Sequence, residues 1–477
     1  MASSGGPQSN TQFDFLDART LIVRASFLLA FVAALVLLPA ATEDHGLRAI
    51  IPLYVINVFI LLFPTLWPRE VDLCAPVVLP WIMAAFVAVS TMLSFYEAGE
   101  IRIDLVSMLT PDHAEALASR TLYALAIGQL SYLIGYYSSL GPAIRGWFPT
   151  VGGLVWDRRR LSLVSAVTLA FFVAAYVVFQ ARTGVPLFDF TQYGAGKSAW
   201  RDDPTLSWML RGVMLGMVPV FLYLTRAMAE RRLRGFIPAL AVTLGISLLI
   251  SRLGQRGPVA YAILALVFVF HYLWRRVPVI LFAGVYFVGL AVSNITYEWR
   301  VAPQDTPREM ALMRVASDPG QVLIGHENER QRFASLAVVM DAIPDRQPYL
   351  LGESWISMAY VLVPRWVWPE KGDSSKWQDT RIVHTLSGAP IPTPFVGILY
   401  ANLSWIGIIA GMFLFGAFHR GLYEWLRLNI RDPSVVLLYA LILNNFGPTL
   451  LGISAALSYV LPVYLVIKFA GRRAVPT

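Results

Sequence analysis

Long apolar segments, separated by shorter polar ones, recur along the whole chain. Most approach the ~20 consecutive apolar residues that an α-helix needs to cross a bilayer. The alternation predicts an all-α polytopic integral membrane protein. We expect about twelve spans, at residues 21–40, 49–67, 75–96, 119–139, 161–181, 205–225, 235–251, 258–274, 277–294, 393–418, 434–452 and 455–470. Because 354–366 is also apolar, eleven and thirteen spans are alternatives.

The composition favours the same class. Hydrophobic residues make up 57% of the chain, charged residues only 14%, and the mean hydropathy is +0.59, values typical of a membrane protein. The first apolar segment follows Asp14 and Asp17 and is not followed by a small-residue cleavage pattern, so we do not expect a cleaved signal. The sequence predicts one membrane domain over 1–477, with a disordered cytoplasmic N-terminus at 1–20.

Two residue types bear on cofactors. Cys74 is the single cysteine, which excludes an internal disulfide. The six histidines form no HExxH-like pair, so we expect neither a metal nor another cofactor.

Basic residues concentrate in connections that share one side of the twelve-span arrangement. Short Lys/Arg-rich loops stay in the cytoplasm, which places both termini there and accounts for the net charge of +8 without a nucleic-acid motif. These connections are 156–160, 226–234, 275–276, 419–431 and 471–473. The outer side then receives 97–118, 182–204, 251–257 and the large periplasmic loop 295–392 between spans 9 and 10.

The outer connection SRLGQRGPVAY (251–261) carries Arg252 and Arg256. Pro258 suits the first turn of the next helix. The free N–H groups of a helix N-terminus together with arginines can bind a phosphate. A tight interhelical turn whose arginines reach lipid headgroups is the alternative.

The outer stretch 325–342, GHENERQRFASLAVVMDA, has the apolar spacing of a helix that docks one face on the membrane domain. His326, Glu329 and Arg330 fall on that same face. They would combine a candidate general base with a neighbouring cation. A solvated first turn with weak ion pairs is the alternative. The residues of the apolar face are Phe333, Leu336, Ala337 and Met340.

The stretch VPRWVWPEKG (363–372) has prolines that forbid a long helix and tryptophans suited to the headgroup level. Arg365 and Lys371 would then lie at the bilayer surface, where the phosphates of a lipid-linked substrate are found. An aromatic anchor without a catalytic part is the alternative.

PRWVWPEK resembles the PR-x-x-WP-x-K signature of bacterial oligosaccharide repeat-unit polymerases, the Wzy-type O-antigen polymerase family. Gly372 stands where that family often has proline. Further resembling elements occur in the expected order: GVPLF (184–188), GQRG (254–257), GES (352–354) and GILYANLSWIG (397–407). The resemblance implies a GT-C-like fold and transfer of a growing glycan from undecaprenyl pyrophosphate to a fresh lipid-linked repeat unit, at the outer face of the bacterial inner membrane.

The resemblance also implies roles for individual residues. Cations placed at the departing pyrophosphate stabilise the transition state more than the ground state; the candidates are Arg252, Arg256, Arg330, Arg332, Arg365 and Lys371. His326 is the first candidate for the base, with Glu329 and Asp341 as rivals, and Tyr400 and Asn402 line the glycan. The implied partners are undecaprenyl-pyrophosphate-linked oligosaccharides, membrane lipids, and chain-length regulator and flippase proteins.

Three other functions remain open. An O-antigen ligase shares the predicted topology and the arginines but delivers glycan to lipid A core or to protein. A lipid-linked glycan flippase or other transporter would favour charges in the middle of spans and pseudo-symmetric halves; Arg211 is the nearest such charge. A non-catalytic assembly or sensory membrane protein is the third.

Overall fold

The fold was obtained as a computed structural model. It describes residues 18–40, 45–66, 72–78, 80–92 without 83, 86, 87 and 90, 111–151, 154–184, 213, 215–252, 256–278, 284, 328–356, 367–368, 382–387, 393–445 and 460–473. The named helices are α1 (Ala18–Ala40), α2 (His45–Leu66), α3 (Pro111–Tyr137), α4 (Leu140–Ile144), α5 (Arg158–Thr183), α6 (Met217–Ala229), α7 (Leu233–Arg252), α8 (Arg256–Leu273), α9 (Asn328–Ala342), α10 (Ile382–Ser387), α11 (Phe395–Leu428), α12 (Pro433–Asn445) and α13 (Leu461–Ala470). A short 3-10 helix (Arg145–Trp147) and two short strands, β1 (Leu154–Trp156) and β2 (Gly471–Arg473), are also present.

The described chain is mostly helical, which confirms the all-α part of the prediction. Among the described residues, three helices are long and apolar enough to cross a membrane, at Gly46–Leu66, Arg158–Arg182 and Phe395–Leu428. Shorter apolar helices accompany them, among them Met217–Ala229 and Pro433–Leu443. The total of twelve spans stays a prediction, since most of the expected span 277–294 lies outside the described residues.

Helices α3 and α11 lie side by side and run in the same direction. Near their starts, Arg120 Nη2 donates to the hydroxyl of Tyr400 at 2.6 Å. Further along both helices, the Tyr132 hydroxyl and His419 Nδ1 are 2.6 Å apart. Parallel neighbours require an odd number of crossings between them, and the twelve-span arrangement places five between these two.

Glycines allow α3 and α11 to touch backbone to backbone. A Cβ on Gly135 would collide with the carbonyl oxygen of Phe413, and a Cβ on Gly416 would collide with the carbonyl oxygen of Tyr132. Small residues at helix contacts are the usual means of association in a bilayer, where lipid removes the hydrophobic driving force. Close van der Waals packing therefore holds this pair together.

Helix α11 is broken at Leu403 and Ser404. Ser404 has φ 59° and ψ −149°, close to a backbone region that is nearly restricted to glycine. The carbonyl oxygens of Ala401 and Asn402 accept hydrogen bonds from Leu350 N at 2.9 Å and Leu351 N at 3.2 Å. The segment after α9 thus supplies hydrogen bonds that the interrupted helix lacks.

One end of the bundle, which we call the basic end, gathers the connections predicted to be cytoplasmic. Strand β1 pairs antiparallel with β2, with Val155 opposite Arg472. Trp156 Nε1 donates to Ser434 Oγ at 2.9 Å, which ties β1 to the start of α12. The exposed basic residues here are Arg145, Arg158, Arg159, Arg160, Arg231, Arg232, Arg275, Arg276, Arg427 and Arg431.

The opposite end, which we call the polar end, brings together segments predicted to lie outside. His113, in the first turn of α3, contacts Asp341 at the end of α9. The rings of Tyr54 in α2 and Phe333 in α9 lie 5.9 Å apart. The contact between His113 and Asp341 joins two connections predicted to lie outside, and the sides of the membrane stay a prediction.

Helix α9 is confirmed, but its burial differs from the expected single face. All residues from Phe333 to Met340 are buried, including Ser335. The cause is that α9 packs against α3, α10 and α11, so it is inserted among helices rather than laid on their surface.

Candidate functional site

Helix α3 carries two polar side chains on one stripe at the polar end. His113 and Arg120 are seven residues apart, which places them on the same face, with a rise of about 10 Å between them. His113 contacts Asp341 of α9, and Arg120 contacts Tyr400 of α11. We call the set at these contacts the polar cluster: His113, Arg120, Asp341, Arg346, Tyr400 and Asn402.

Asp341 has both carboxylate oxygens engaged. Its Oδ1 lies 2.9 Å from His113 Nε2, and its Oδ2 contacts the guanidinium of Arg346. Arg346 is brought back to it because the Arg346 N–H donates to the carbonyl of Ala342 at 2.8 Å. The Asp341 side chain is only 9% exposed, and such burial of a charge requires partners of this kind.

Arg120 is fixed by Tyr400. The guanidinium donates to the tyrosine hydroxyl at 2.6 Å and lies 5.8 Å from the ring centroid. The hydroxyl in turn donates to the carbonyl of Ile343 at 3.2 Å. No carboxylate among the described residues contacts Arg120, and the contacts seen for this half-buried cation there are with the hydroxyl and ring of Tyr400.

Asn402 joins the last helical turn before the α11 break to the GES segment. Its Oδ1 accepts from Gly352 N at 3.0 Å, and its Nδ2 donates to Ser354 Oγ at 2.8 Å and Ile398 O at 2.8 Å. Next to it, the Tyr349 hydroxyl donates to Ser404 Oγ at 3.0 Å. Two of the motifs noted in the sequence are therefore in direct contact.

The structure brings together three of the predicted site residues, Asp341, Tyr400 and Asn402. The side chains of Tyr400 and Asn402 are fully buried and bonded within the protein, so their role as glycan-lining residues stays a prediction. Their observed hydrogen bonds hold residues of the segment 343–354 against α11.

Glu329 and Asp341 do not share one small site. They are twelve residues apart on α9, a rise of about 18 Å. As predicted, Arg330 and Arg332 lie in the first turns of α9. Asp341 therefore lies at the opposite end of the helix from Glu329, Arg330 and Arg332.

The other predicted residues are placed only in part. Arg252 ends α7 and Arg256 begins α8, so the connection is shorter than the predicted 251–257, and the phosphate-binding role of the two arginines stays a prediction. His326, Arg365 and Lys371 lie outside the described residues.

Sequence reasoning missed His113, Arg120 and Arg346. The predicted span began at 119, whereas α3 begins at Pro111, because the helix continues through two polar turns that a hydropathy criterion discards. Pro111 as a first helical residue, followed by His113 and Arg120 at i and i+7, was the signal available.

One group at the basic end has the residue types of a metal site. Ligand atoms of Asp72, Cys74 and His271 lie within 4.8 Å of one another. However, His271 Nδ1 accepts from Val277 N at 3.1 Å, so in the neutral ring the proton is on Nε2, the atom that faces Asp72. Asp72 Oδ2 also accepts the hydroxyls of Tyr272 and Tyr423, each at 2.8 Å. The group fits a hydrogen-bond network better than a metal.

Comparison of the chain with family models, curated proteins and solved structures finds no significant match. The resemblance of PRWVWPEK to repeat-unit polymerases stays a prediction. Any function must therefore be argued from the chain's own residues and contacts.

Proposed function

We propose that the protein is a lipid-pyrophosphate-dependent glycosyltransferase that joins undecaprenyl-pyrophosphate-linked repeat units on the outer face of a bacterial inner membrane. The polar cluster is the observation that carries this proposal. It combines an exposed histidine on a buried carboxylate with a fixed arginine, and the histidine and the arginine share one stripe of α3, at the end of the bundle remote from the basic end.

The chemistry of glycosyl transfer asks for this combination. An acceptor hydroxyl must lose a proton, and the departing pyrophosphate gains negative charge. A histidine–carboxylate pair serves the first need, and a preorganised arginine serves the second. Arg120 therefore joins the arginines and lysine proposed from the sequence as pyrophosphate contacts: Arg252, Arg256, Arg330, Arg332, Arg365 and Lys371.

The two ends of the bundle support the proposed orientation. Ten exposed arginines lie at the basic end, which the positive-inside rule assigns to the cytoplasm. The polar cluster then faces the periplasm, where lipid-linked repeat units are polymerised. Twelve spans, a GT-C-like fold and association with flippase and chain-length regulator proteins belong to the same proposal.

The test is polymer formation by the purified full-length protein in liposomes supplied with a lipid-linked repeat unit. Arg120→Ala should lower the rate about 100-fold, the typical cost of removing one preorganised charge stabiliser. Arg120→Lys should recover little, because lysine lacks the planar fork. Arg159→Ala, an exposed arginine at the basic end, is the control and should act like wild type.

Two results would contradict the polymerase proposal. One is a wild-type protein that leaves the repeat units unjoined. The other is a deletion strain whose chains have normal length but stay on the carrier lipid, which would identify a ligase.

A further inference from the structure

We infer that His113 is the general base of the transfer and that Asp341 is the residue that positions it. This assignment rests on the proposed function and names the base within the polar cluster. It replaces the sequence-based candidacy of Asp341, whose two oxygens are already used by His113 and Arg346.

The hydrogen bond to Asp341 sets the tautomer of His113. An ionised carboxylate only accepts hydrogen bonds, so Nε2, at 2.9 Å from Oδ1, carries the proton. In the neutral ring Nδ1 is then the proton acceptor. The His113 side chain is 53% exposed while that of Asp341 is 9% exposed. A buried carboxylate thus orients a ring whose open side can meet a substrate.

Described charged groups lie near His113 both around the end of α9 and on α3. Asp341 contacts the ring directly, and Arg346 lies on the other oxygen of that carboxylate. On α3 itself, Glu115 follows two residues later, a rotation of about 200° toward the opposite face. The carboxylate stabilises the imidazolium that forms, as in other oriented histidine bases.

His113 and Arg120 are spaced to serve the two sides of one reacting carbon. The rise between them is about 10 Å. Both side chains lie on the same face of α3, the face that contacts α9 and α11. The acceptor sugar would lie at His113 and the pyrophosphate at Arg120.

The step is balanced without a further reactant. The acceptor hydroxyl oxygen forms a bond to the anomeric carbon, and its proton passes to Nδ1 of His113. The bond between that carbon and the pyrophosphate oxygen breaks, and its electron pair leaves with the undecaprenyl pyrophosphate. His113 then returns the proton to water.

The decisive experiment compares variants of the full-length protein in the liposome assay. His113→Gln keeps a donor for Asp341 but has no basic nitrogen, so kcat should fall about 100-fold or more while KM changes little. For His113→Ala, added imidazole should restore part of the lost turnover. It should restore nothing in Arg120→Ala.

Asp341→Asn tests the positioning role. Its kcat should fall at least tenfold without a response to imidazole, and Asp341→Glu should recover part of the loss. Glu115→Gln on the same helix is the control and should match wild type.

The assignment and the proposed function fail in different ways. A folded His113→Gln variant with kcat within twofold of wild type, or an absence of imidazole rescue in His113→Ala, would overturn the assignment while leaving the polymerase intact. A wild-type protein that forms no polymer would overturn the function itself.

Discussion

Asn402 bridges the broken helix α11 and the segment that follows α9. Each of its amide atoms is bonded, to Gly352, Ser354 and Ile398, and the side chain is fully buried. A buried polar group contributes modestly when satisfied, but its loss leaves its partners unsatisfied at a cost of about 1–3 kcal/mol each. One side chain therefore maintains the geometry of the polar end.

Asn402→Ala should lower the free energy of unfolding by about 2–4 kcal/mol, because Gly352 N–H and Ser354 lose a buried partner. Thermal unfolding of the protein in detergent measures this. Asn429→Ala is the matched control, since among the described residues the Asn429 side chain makes one hydrogen bond, to Trp425 O, at a half-buried site; it should cost about 1 kcal/mol or less. Equal losses in the two variants would refute the bridging role.

The motif containing Tyr400 and Asn402 could be recognised in the sequence, but the use of these residues could not. Their partners Arg120, Ile343 and Ser354 are distant along the chain. Hydrogen bonds of this kind follow from tertiary packing, which no local periodicity contains. The pairing of His113 with Asp341 could not be predicted either, because it also depends on tertiary packing.

At the scale of elements, the contact between α3 and α11 positions the polar cluster. Arg120 and His113 belong to α3, and Tyr400 and Asn402 belong to α11. The separation of the two helices is set by Gly135 and Gly416, where no side chain fits. A substitution at Gly135 or Gly416 should therefore shift the residues of the polar cluster.

Gly416→Ala should separate the helices, lower the thermal unfolding temperature and reduce transfer activity, because its Cβ would meet the Tyr132 carbonyl. Gly245→Ala is the matched control in α7, where nothing lies within 4 Å of an added Cβ. That variant should be neutral or slightly stabilising, since alanine favours a helix. Equal effects of the two substitutions would contradict the close-packing argument.

Helix existence followed well from the apolar pattern, whereas helix boundaries and breaks did not. The break at Leu403 and Ser404 contains neither proline nor glycine, so no local signal announces it. It is stabilised by Leu350 and Leu351, and its cause is therefore tertiary.

At the scale of the whole molecule, the two ends of the bundle differ in the polar groups that they present. The basic end holds exposed arginines, and the polar end holds the polar cluster. Cysteine labelling can test this arrangement, because the native Cys74 is buried. Burial, together with the nearby Asp72 carboxylate, raises the pKa of the Cys74 thiol well above its ordinary value. The native thiol should therefore react poorly with a labelling reagent.

A membrane-impermeant maleimide should label Asp345→Cys in intact spheroplasts and Arg159→Cys only after permeabilisation. Both positions are exposed, and they lie at opposite ends of the bundle. Wild type should stay unlabelled because its thiol is buried. Labelling of Arg159→Cys in intact cells would reverse the proposed orientation.

The pairing of β1 with β2 has a consequence for biosynthesis. Residues 154–156 leave the ribosome long before residues 471–473, with helices α5 to α13 between them. Non-local pairings of this kind form slowly, because the intervening chain must be ordered first. Strand β1 therefore stays unpaired until the last described helix, α13, has been synthesised and β2 has followed it. A ribosome stalled before that point would leave an unpaired strand edge at the basic end, the kind of feature that chaperones bind and quality-control proteases recognise.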